Sequence, residues 1–155
     1  QENWYDKTEI LKYKTTFTCK ENGDIESKTL QYPFKTFEAQ FIQKFDTNNN
    51  LTELIVDKAG RKKEYQNFKY DSLNNVIESN LFTSAGYLYT KTMEKYNHHN
   101  DVIERKIFEN NKFSTLKSYT TFQYKYDKND NWIEQVWCKN GGIPQILIKR
   151  IIEYY

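Results

Sequence analysis

Apolar and polar residues alternate with a period of two along much of the chain. In the stretch 115–126, one face would carry Leu116, Thr120, Phe122, Tyr124 and Tyr126, and the other would carry Tyr119, Thr121, Gln123 and Lys125. Successive side chains of a β-strand point to opposite faces, so this pattern predicts a strand and fits a helix poorly. Similar stretches recur between turn signals, and we expect strands near 10–19, 24–32, 37–45, 51–57, 61–70, 76–83, 87–96, 102–109, 115–126, 132–138 and 144–155.

A turn motif recurs between these strands with constant spacing. It reads Lys44-Phe45-Asp46-Thr47-Asn48-Asn49-Asn50-Leu51-Thr52-Glu53, and it returns from Lys69 to Glu78, from Lys95 to Glu104 and from Lys125 to Glu134. A degenerate earlier copy, residues 21–26, keeps the turn and the pair Ile25-Glu26. The copies lie roughly 25 to 30 residues apart, which is typical of a structural repeat.

The residue types of the motif predict a hairpin loop. The Asp or Asn after the aromatic residue can accept hydrogen bonds from the backbone of the following residues and so open a turn. Later in the loop, a hairpin with a bulge needs a residue that tolerates positive φ, which we assign to Asn22, Asn49, Asn74, Asn100 and Asp130. A second turn signal follows within each repeat, at Ala59-Gly60, Ala85-Gly86, Asn110-Asn111 or 140–142.

These signals together predict an all-β fold. We expect one domain over residues 1–155, an antiparallel meander of about five tandem β-hairpin repeats that forms an elongated, twisted or curled sheet. Residues 1–16 would be an N-terminal cap region, in which 1–9 cover the first edge of the sheet, and the repeats would occupy about 17–155.

The motif resembles a known family. The stretches 70–76 and 126–132 resemble the Tyr-Asp core of RHS/YD-type repeats, and they are similar to hairpin repeats of uncharacterised secreted and lipoprotein-like proteins from Bacteroidetes. The resemblance covers roughly residues 17–155, although the family usually has Gly where this chain has Asn49, Asn74, Asn100 and Asp130. It implies a secreted, periplasmic or outer-surface protein whose signal peptide has been removed, consistent with a chain that starts at Gln1 without Met.

Composition limits the possible partners. The chain has 23 Lys and Arg against 21 Asp and Glu, a formal net charge of +2, which argues against nucleic-acid binding. Aromatic residues make up 17% of the sequence, which favours strands. No apolar run reaches roughly 18 residues, so no transmembrane segment is expected. Cys19 and Cys138 are too few for a disulfide framework, and we expect two free thiols.

The recurring residues have both a chemical and a structural interpretation. The row of Glu26, Glu53, Glu78, Glu104 and Glu134 could bind a divalent cation, but Lys44, Lys69, Lys95 and Lys125 recur across the same turn and would neutralise it. The positions of Asp46, Asp71 and Asp127 favour a role in forming the turns over a role as metal ligands. The row of Phe45, Tyr70, Tyr96 and Tyr126 is expected to be a mostly buried packing spine rather than a binding platform.

The sequence contains no complete catalytic or cofactor motif. His98-His99 occupies a turn position that accepts varied residues, and no Cys/His cluster has zinc spacing. We therefore expect no enzyme activity, catalytic residue, metal site or cofactor. The leading hypothesis is a non-catalytic binding or scaffolding module for a protein or a glycan, with Trp132, Trp137 and Tyr87 as exposed contacts. The alternatives are an immunity or inhibitor-type protein that binds a toxin or enzyme, and a hydrolase that uses carboxylates.

Overall fold

All regular elements in the described part of the chain are β-strands. The computed structural model describes residues 1–5, 11–31, 36–58, 63–109 and 115–154. The strands are β1 (Glu2–Tyr5), β2 (Leu11–Cys19), β3 (Ile25–Gln31), β4 (Thr36–Phe45), β5 (Leu51–Lys58), β6 (Glu64–Tyr70), β7 (Val76–Phe82), β8 (Leu88–Tyr96), β9 (Val102–Glu109), β10 (Thr115–Tyr126), β11 (Trp132–Lys139) and β12 (Ile143–Lys149). The all-β prediction is confirmed.

The strands follow chain order in the sheet, from β1 to β12. Neighbouring strands pair antiparallel, for example β4 with β5 and β10 with β11. This is the predicted meander, since short turns can join only antiparallel neighbours. The chain divides into two compact units: unit one is Gln1–Lys69 with Asn80–Tyr89, and unit two is Tyr70–Ser79 with Thr90–Tyr155.

The repeated turns have the predicted backbone conformation. Asn49, Asn74, Asn100 and Asp130 have φ angles of 63°, 65°, 62° and 60°. In the first hairpin the equivalent residue is Gly23, at φ 86°, and not Asn22 as the sequence analysis expected. The hydrogen bonds explain the correction: Gly23 N donates to Lys20 O at 3.0 Å, just as Asn49 N donates to Asp46 O at 3.1 Å.

A β-bulge follows three of the described turns. Lys44 pairs with Glu53 while Phe45 pairs with Leu51, so Thr52 is the extra residue. The same irregularity occurs at Lys95/Tyr96 and at Lys125/Tyr126. The first hairpin has no bulge, and Glu26 pairs directly with Thr18. Glu26 therefore reaches the same ladder position as Glu53 although its turn is offset by one residue.

Residues 2–5 of the expected cap region form β1, which pairs along β2 with Trp4 opposite Tyr13. Two further expectations differ from the structure. The last strand ends at Lys149 rather than continuing to 155. Leu116 lies on the face of Tyr119 instead of that of Phe122, because a bulge between Leu116 and Ser118 shifts the register by one residue. The turn signals Ala59-Gly60 and Asn110-Asn111 lie outside the described residues.

Burial is shallow in the described residues. Val56 in unit one and Phe122 and Cys138 in unit two are the buried apolar residues in the described part of the chain, at 8%, 8% and 3% exposure, and none of them is fully buried. Most other strand residues are half-buried. The stability of each unit therefore depends largely on strand pairing, turns and hydrogen bonds between side chains.

Candidate functional site

The carboxylates of the turn aspartates accept hydrogen bonds from backbone N–H groups of the same turn. Oδ1 of Asp71 accepts hydrogen bonds from the backbone N–H groups of Leu73 and Asn75, both at 2.9 Å. Asp46 binds Asn48 and Asn50 in the same way, at 2.8 and 2.9 Å. The backbone donor of Asn75 is the main reason why the pKa of Asp71 lies below its ordinary value, and that of Asn50 has the same effect on Asp46. These carboxylates form turns, as the sequence analysis expected.

The predicted Lys and Glu neighbours form ion pairs. Nζ of Lys44 lies 2.6 Å from Glu53, Nζ of Lys95 lies 3.2 Å from Glu104, and Nζ of Lys125 lies 3.8 Å from Glu134. A second lysine joins two of the glutamates, Lys106 at 3.1 Å from Glu104 and Lys149 at 3.3 Å from Glu134. Each of these glutamates is therefore matched by positive charge, and the row does not present free carboxylates.

The aromatic row is half-buried, not mostly buried as expected, and its hydroxyl groups hold neighbouring turns. The hydroxyl of Tyr126 donates to Oδ2 of Asp101 at 2.7 Å and accepts from Nδ2 of Asn97 at 2.7 Å. Burial, together with the bond to Asp101, raises the pKa of Tyr126 to about 12. The hydroxyl of Tyr96 donates to Val76 O at 3.0 Å and lies 2.7 Å from Oε2 of Glu94. The aromatic row therefore has a structural role, and the hydroxyl groups of Tyr96 and Tyr126 contribute to it through hydrogen bonds within the protein.

Tyr154 extends this row, and the sequence analysis missed it. Its hydroxyl donates to Oδ2 of Asp127 and accepts from Nδ2 of Asn131, the latter at 2.8 Å. Tyr126 makes the equivalent pair of contacts to the preceding turn. The sequence does carry a signal, since Tyr154 lies 28 positions after Tyr126, about the length of one repeat. No Asp or Asn follows Tyr154 directly, so the residue lacks the rest of the turn motif.

Two of the three aromatic residues that we expected to be exposed are packed. The guanidinium carbon of Arg150 lies 3.7 Å from the ring centre of Trp132. Trp137 packs edge-on against Phe122, with ring centres 5.5 Å apart. Both indoles are half-buried. Tyr87 differs from them, since 74% of its surface is exposed. The expectation for Trp132 and Trp137 was therefore wrong, and that for Tyr87 is confirmed.

The histidine pair and the cysteines do not combine into a reactive centre. The ring of His99 stacks on Tyr126 at 4.0 Å, and His98 lies beside His99. Among the described residues, no three His, Cys, Asp or Glu side chains are grouped in a way that could hold a metal ion. Cys19 is exposed and Cys138 is buried, and both thiols are free, as expected.

A shallow groove in unit one lies beside the turn from β7 to β8. Its volume is about 240 Å³, and we call it the β7–β8 groove; it is lined by Lys63, Glu64, Leu81, Phe82, Thr83, Ser84 and Tyr89. The ring of Phe82 packs against the ring of Tyr65, with ring centres 5.1 Å apart. Tyr89 exposes 53% of its surface. The groove therefore combines an apolar, aromatic floor with a polar rim.

Three hydrogen bonds close the turn that leads into β8. Thr83 N donates to Tyr87 O at 2.8 Å, Gly86 N donates to Thr83 O at 2.9 Å, and Tyr87 N donates to Oγ1 of Thr83 at 3.2 Å. Gly86 has φ 81°, which a residue without Cβ adopts at low cost. Thr83 thus takes the place that Asp has in the other turns. The second turn signal predicted at Ala85-Gly86 is confirmed, and it fixes the backbone of Tyr87.

Tyr87 and Tyr89 differ from the tyrosines of unit two in one respect. The hydroxyl groups of Tyr96, Tyr124 and Tyr126 are all bonded to the protein. Those of Tyr87 and Tyr89 have no hydrogen-bond partner in the described part of the chain. Exposed rings with unused hydroxyl groups can cover an apolar part of a ligand and donate hydrogen bonds to its polar groups.

A second exposed aromatic surface lies on β1 and β2. Trp4 is 64% exposed and is the direct strand partner of Tyr13, which is 39% exposed. Phe17 lies on the same face of β2 and is 46% exposed. Unit one therefore carries two separate groups of exposed aromatic side chains.

The chain matches no protein-family model and no curated protein. The described residues include no helix with the length and apolar character needed to cross a membrane.

Proposed function

We propose that this protein is a non-catalytic binding or scaffolding module of the bacterial cell envelope or exterior. The observation that supports binding is the exposure of Tyr87 and Tyr89, whose hydroxyl groups have no partner among the described residues, beside an apolar groove. Aromatic side chains that are exposed on a rigid element lose little conformational freedom when a ligand covers them. The assignment to the envelope rests on the resemblance to secreted hairpin-repeat proteins.

A capture experiment tests the binding role. The protein is immobilised beside the double variant Tyr87→Ser/Tyr89→Ser, and both are exposed to envelope extract, with bound proteins and glycans identified. Leu73→Ser is the matched control, because Leu73 is also apolar, 63% exposed and part of a turn. We expect a bound component that the double variant loses and the control retains. Equal capture by all three proteins, or no capture, would contradict the proposed role.

Localisation needs a separate measurement. Antibody detection in cytoplasmic, envelope and medium fractions of the source cells should find the protein in the envelope or the medium. Detection in the cytoplasm alone would contradict that part of the proposal.

A further inference from the structure

We propose that the β7–β8 groove binds an extended, proline-containing peptide that carries a basic residue beside an apolar one. This inference rests on the proposed binding function and names the chemistry of its partner. Three properties of the groove lead to it: the apolar floor, the unused tyrosine hydroxyl groups and the charge of its rim.

The floor favours an apolar ligand group. More of the surface of the groove is apolar than polar, and its apolar lining residues are Leu81, Phe82 and Tyr89. A sugar carries a hydroxyl on almost every ring carbon, and each one that loses water here without finding a partner would be costly. A proline ring or an aliphatic side chain carries no such groups, and it gains by covering apolar surface.

The tyrosine hydroxyl groups favour an extended backbone. Proline-rich peptides adopt the polyproline II conformation, in which the backbone makes no internal hydrogen bonds and its carbonyl groups are free to accept them. Grooves that recognise such peptides are lined by aromatic residues. Tyr89 lines the groove, and Tyr87 lies two residues before it in the turn that leads into β8. Both rings are exposed, and neither hydroxyl group has a hydrogen-bond partner among the described residues.

The rim supplies the charge preference. Nζ of Lys63 lies 3.2 Å from Oδ2 of Asp57, so the positive charge at the rim is already matched. Glu64 is exposed and forms no ion pair with any described residue. Among the described residues of the groove, Glu64 therefore contributes a negative charge without an ion-pair partner, which a lysine or arginine of the peptide would complement.

Selection from a phage-displayed library of random short peptides tests the inference with the full chain. We expect the selected peptides to be rich in proline and to carry Lys or Arg. Tyr89→Ser should weaken their binding about tenfold or more, and Glu64→Gln should remove the preference for a basic residue. Leu73→Ser should bind like the parent. Thermal melts show whether each variant is folded, and Tyr87→Ser replaces Tyr89→Ser if the latter is not.

Several results would overturn the peptide assignment. They are the absence of selected binders, binders without proline, and binders that are insensitive to Tyr89 and Glu64. In a parallel NMR titration, a neutral oligosaccharide such as maltotriose that shifted the Tyr87 and Tyr89 signals, where no peptide did, would also overturn it. If any of these results is obtained, loss of extract capture by Tyr87→Ser/Tyr89→Ser would still support the proposed binding function. If extract capture is unchanged as well, both proposals fail.

Discussion

The hydroxyl of Tyr126, at the end of β10, donates a hydrogen bond of 2.7 Å to the carboxylate of Asp101, in the turn of the preceding hairpin. Asn97, the first residue of that turn, donates to the same hydroxyl at 2.7 Å. Tyr126 and Asp101 are 25 positions apart, about the length of one repeat. The aromatic row thus joins successive repeats through its polar ends as well as its rings.

This contact changes the expectation for the aromatic row. The row contains a phenylalanine at Phe45, so the sequence alone predicts that the hydroxyl is dispensable at this position of the repeat. In Tyr126→Phe, Asp101 and Asn97 would lose their common partner, and a hydrogen bond to a charged group contributes about 1.5 to 3 kcal/mol in a favourable site. Because the site is half-exposed, we expect a loss of about 1 kcal/mol.

Urea denaturation of Tyr126→Phe and of the control Tyr87→Phe measures this difference. The hydroxyl of Tyr87 has no protein partner among the described residues, so the control should unfold like the parent. If both variants unfold like the parent, the bond to Asp101 contributes nothing to stability. Tyr96→Phe should resemble Tyr126→Phe, since the hydroxyl of Tyr96 bonds Val76 O and Glu94.

The turn position with positive φ offers a second prediction. Asp130 is exposed and has φ 60°, a conformation that costs a residue with a Cβ about 1 kcal/mol relative to glycine. Asp130→Gly should therefore be neutral or slightly stabilising, and we expect the same of Asn74→Gly. Asp130→Val should destabilise by about 1 to 2 kcal/mol, because a β-branched side chain tolerates this region poorly. Thermal melts measure both variants, and a Val variant that is as stable as the Gly variant, or more stable, would indicate a different turn geometry.

Much of the fold could be predicted because its signals are local. Period-two alternation places the strands, and Asp46 or Asp71 opens a turn through bonds to residues two and four positions later. The pairing of Lys44 with Glu53 also follows, since the two residues flank one short loop. Each of these relationships lies within a single hairpin, so a short stretch of sequence contains it.

The errors concern relationships between hairpins. Leu116 changes face because of a bulge in its pairing with β9, which the pattern of β10 alone does not contain. The packing of Trp132 depends on Arg150, 18 residues away. The groove beside Tyr89 needs β6, β7 and the turn after β7 to come together. Strand register decides all three, and a single sequence does not specify register where bulges occur.

The two cysteines should differ in reactivity. Cys19 is exposed on β2, whereas Cys138 on β11 is 3% exposed. With Ellman's reagent under native conditions, we expect one fast thiol and one that reacts only after denaturation, and Cys19→Ser should remove the fast phase. Two equally fast thiols would mean that β11 opens readily, and an absence of free thiols in the monomer would contradict the structure.

Acid should destabilise the protein by protonating the turn aspartates. The turn that begins at Asn97 provides a natural control, because it has Asn in the place of Asp. The pKa of Asp71 is lowered first by the backbone N–H of Asn75, and that of Asp127 first by the hydroxyl of Tyr154. A carboxyl group whose pKa is lower in the folded than in the unfolded chain stabilises the fold above its unfolded value, about 3.9 for Asp. This stabilisation is lost as pH falls through the lower, folded value.

The third repeat has Asn97 in the place of Asp71, and its Oδ1 still accepts from His99 N and Asp101 N at 2.9 and 3.0 Å. Asp71→Asn should therefore keep the turn but lose its titration. We expect this variant to be less stable than the parent near neutral pH and to approach it as pH falls below about 4. Urea denaturation across the acidic range measures the gap between the two proteins. A gap that stays constant with pH would show that the charge of Asp71 has no part in holding the turn.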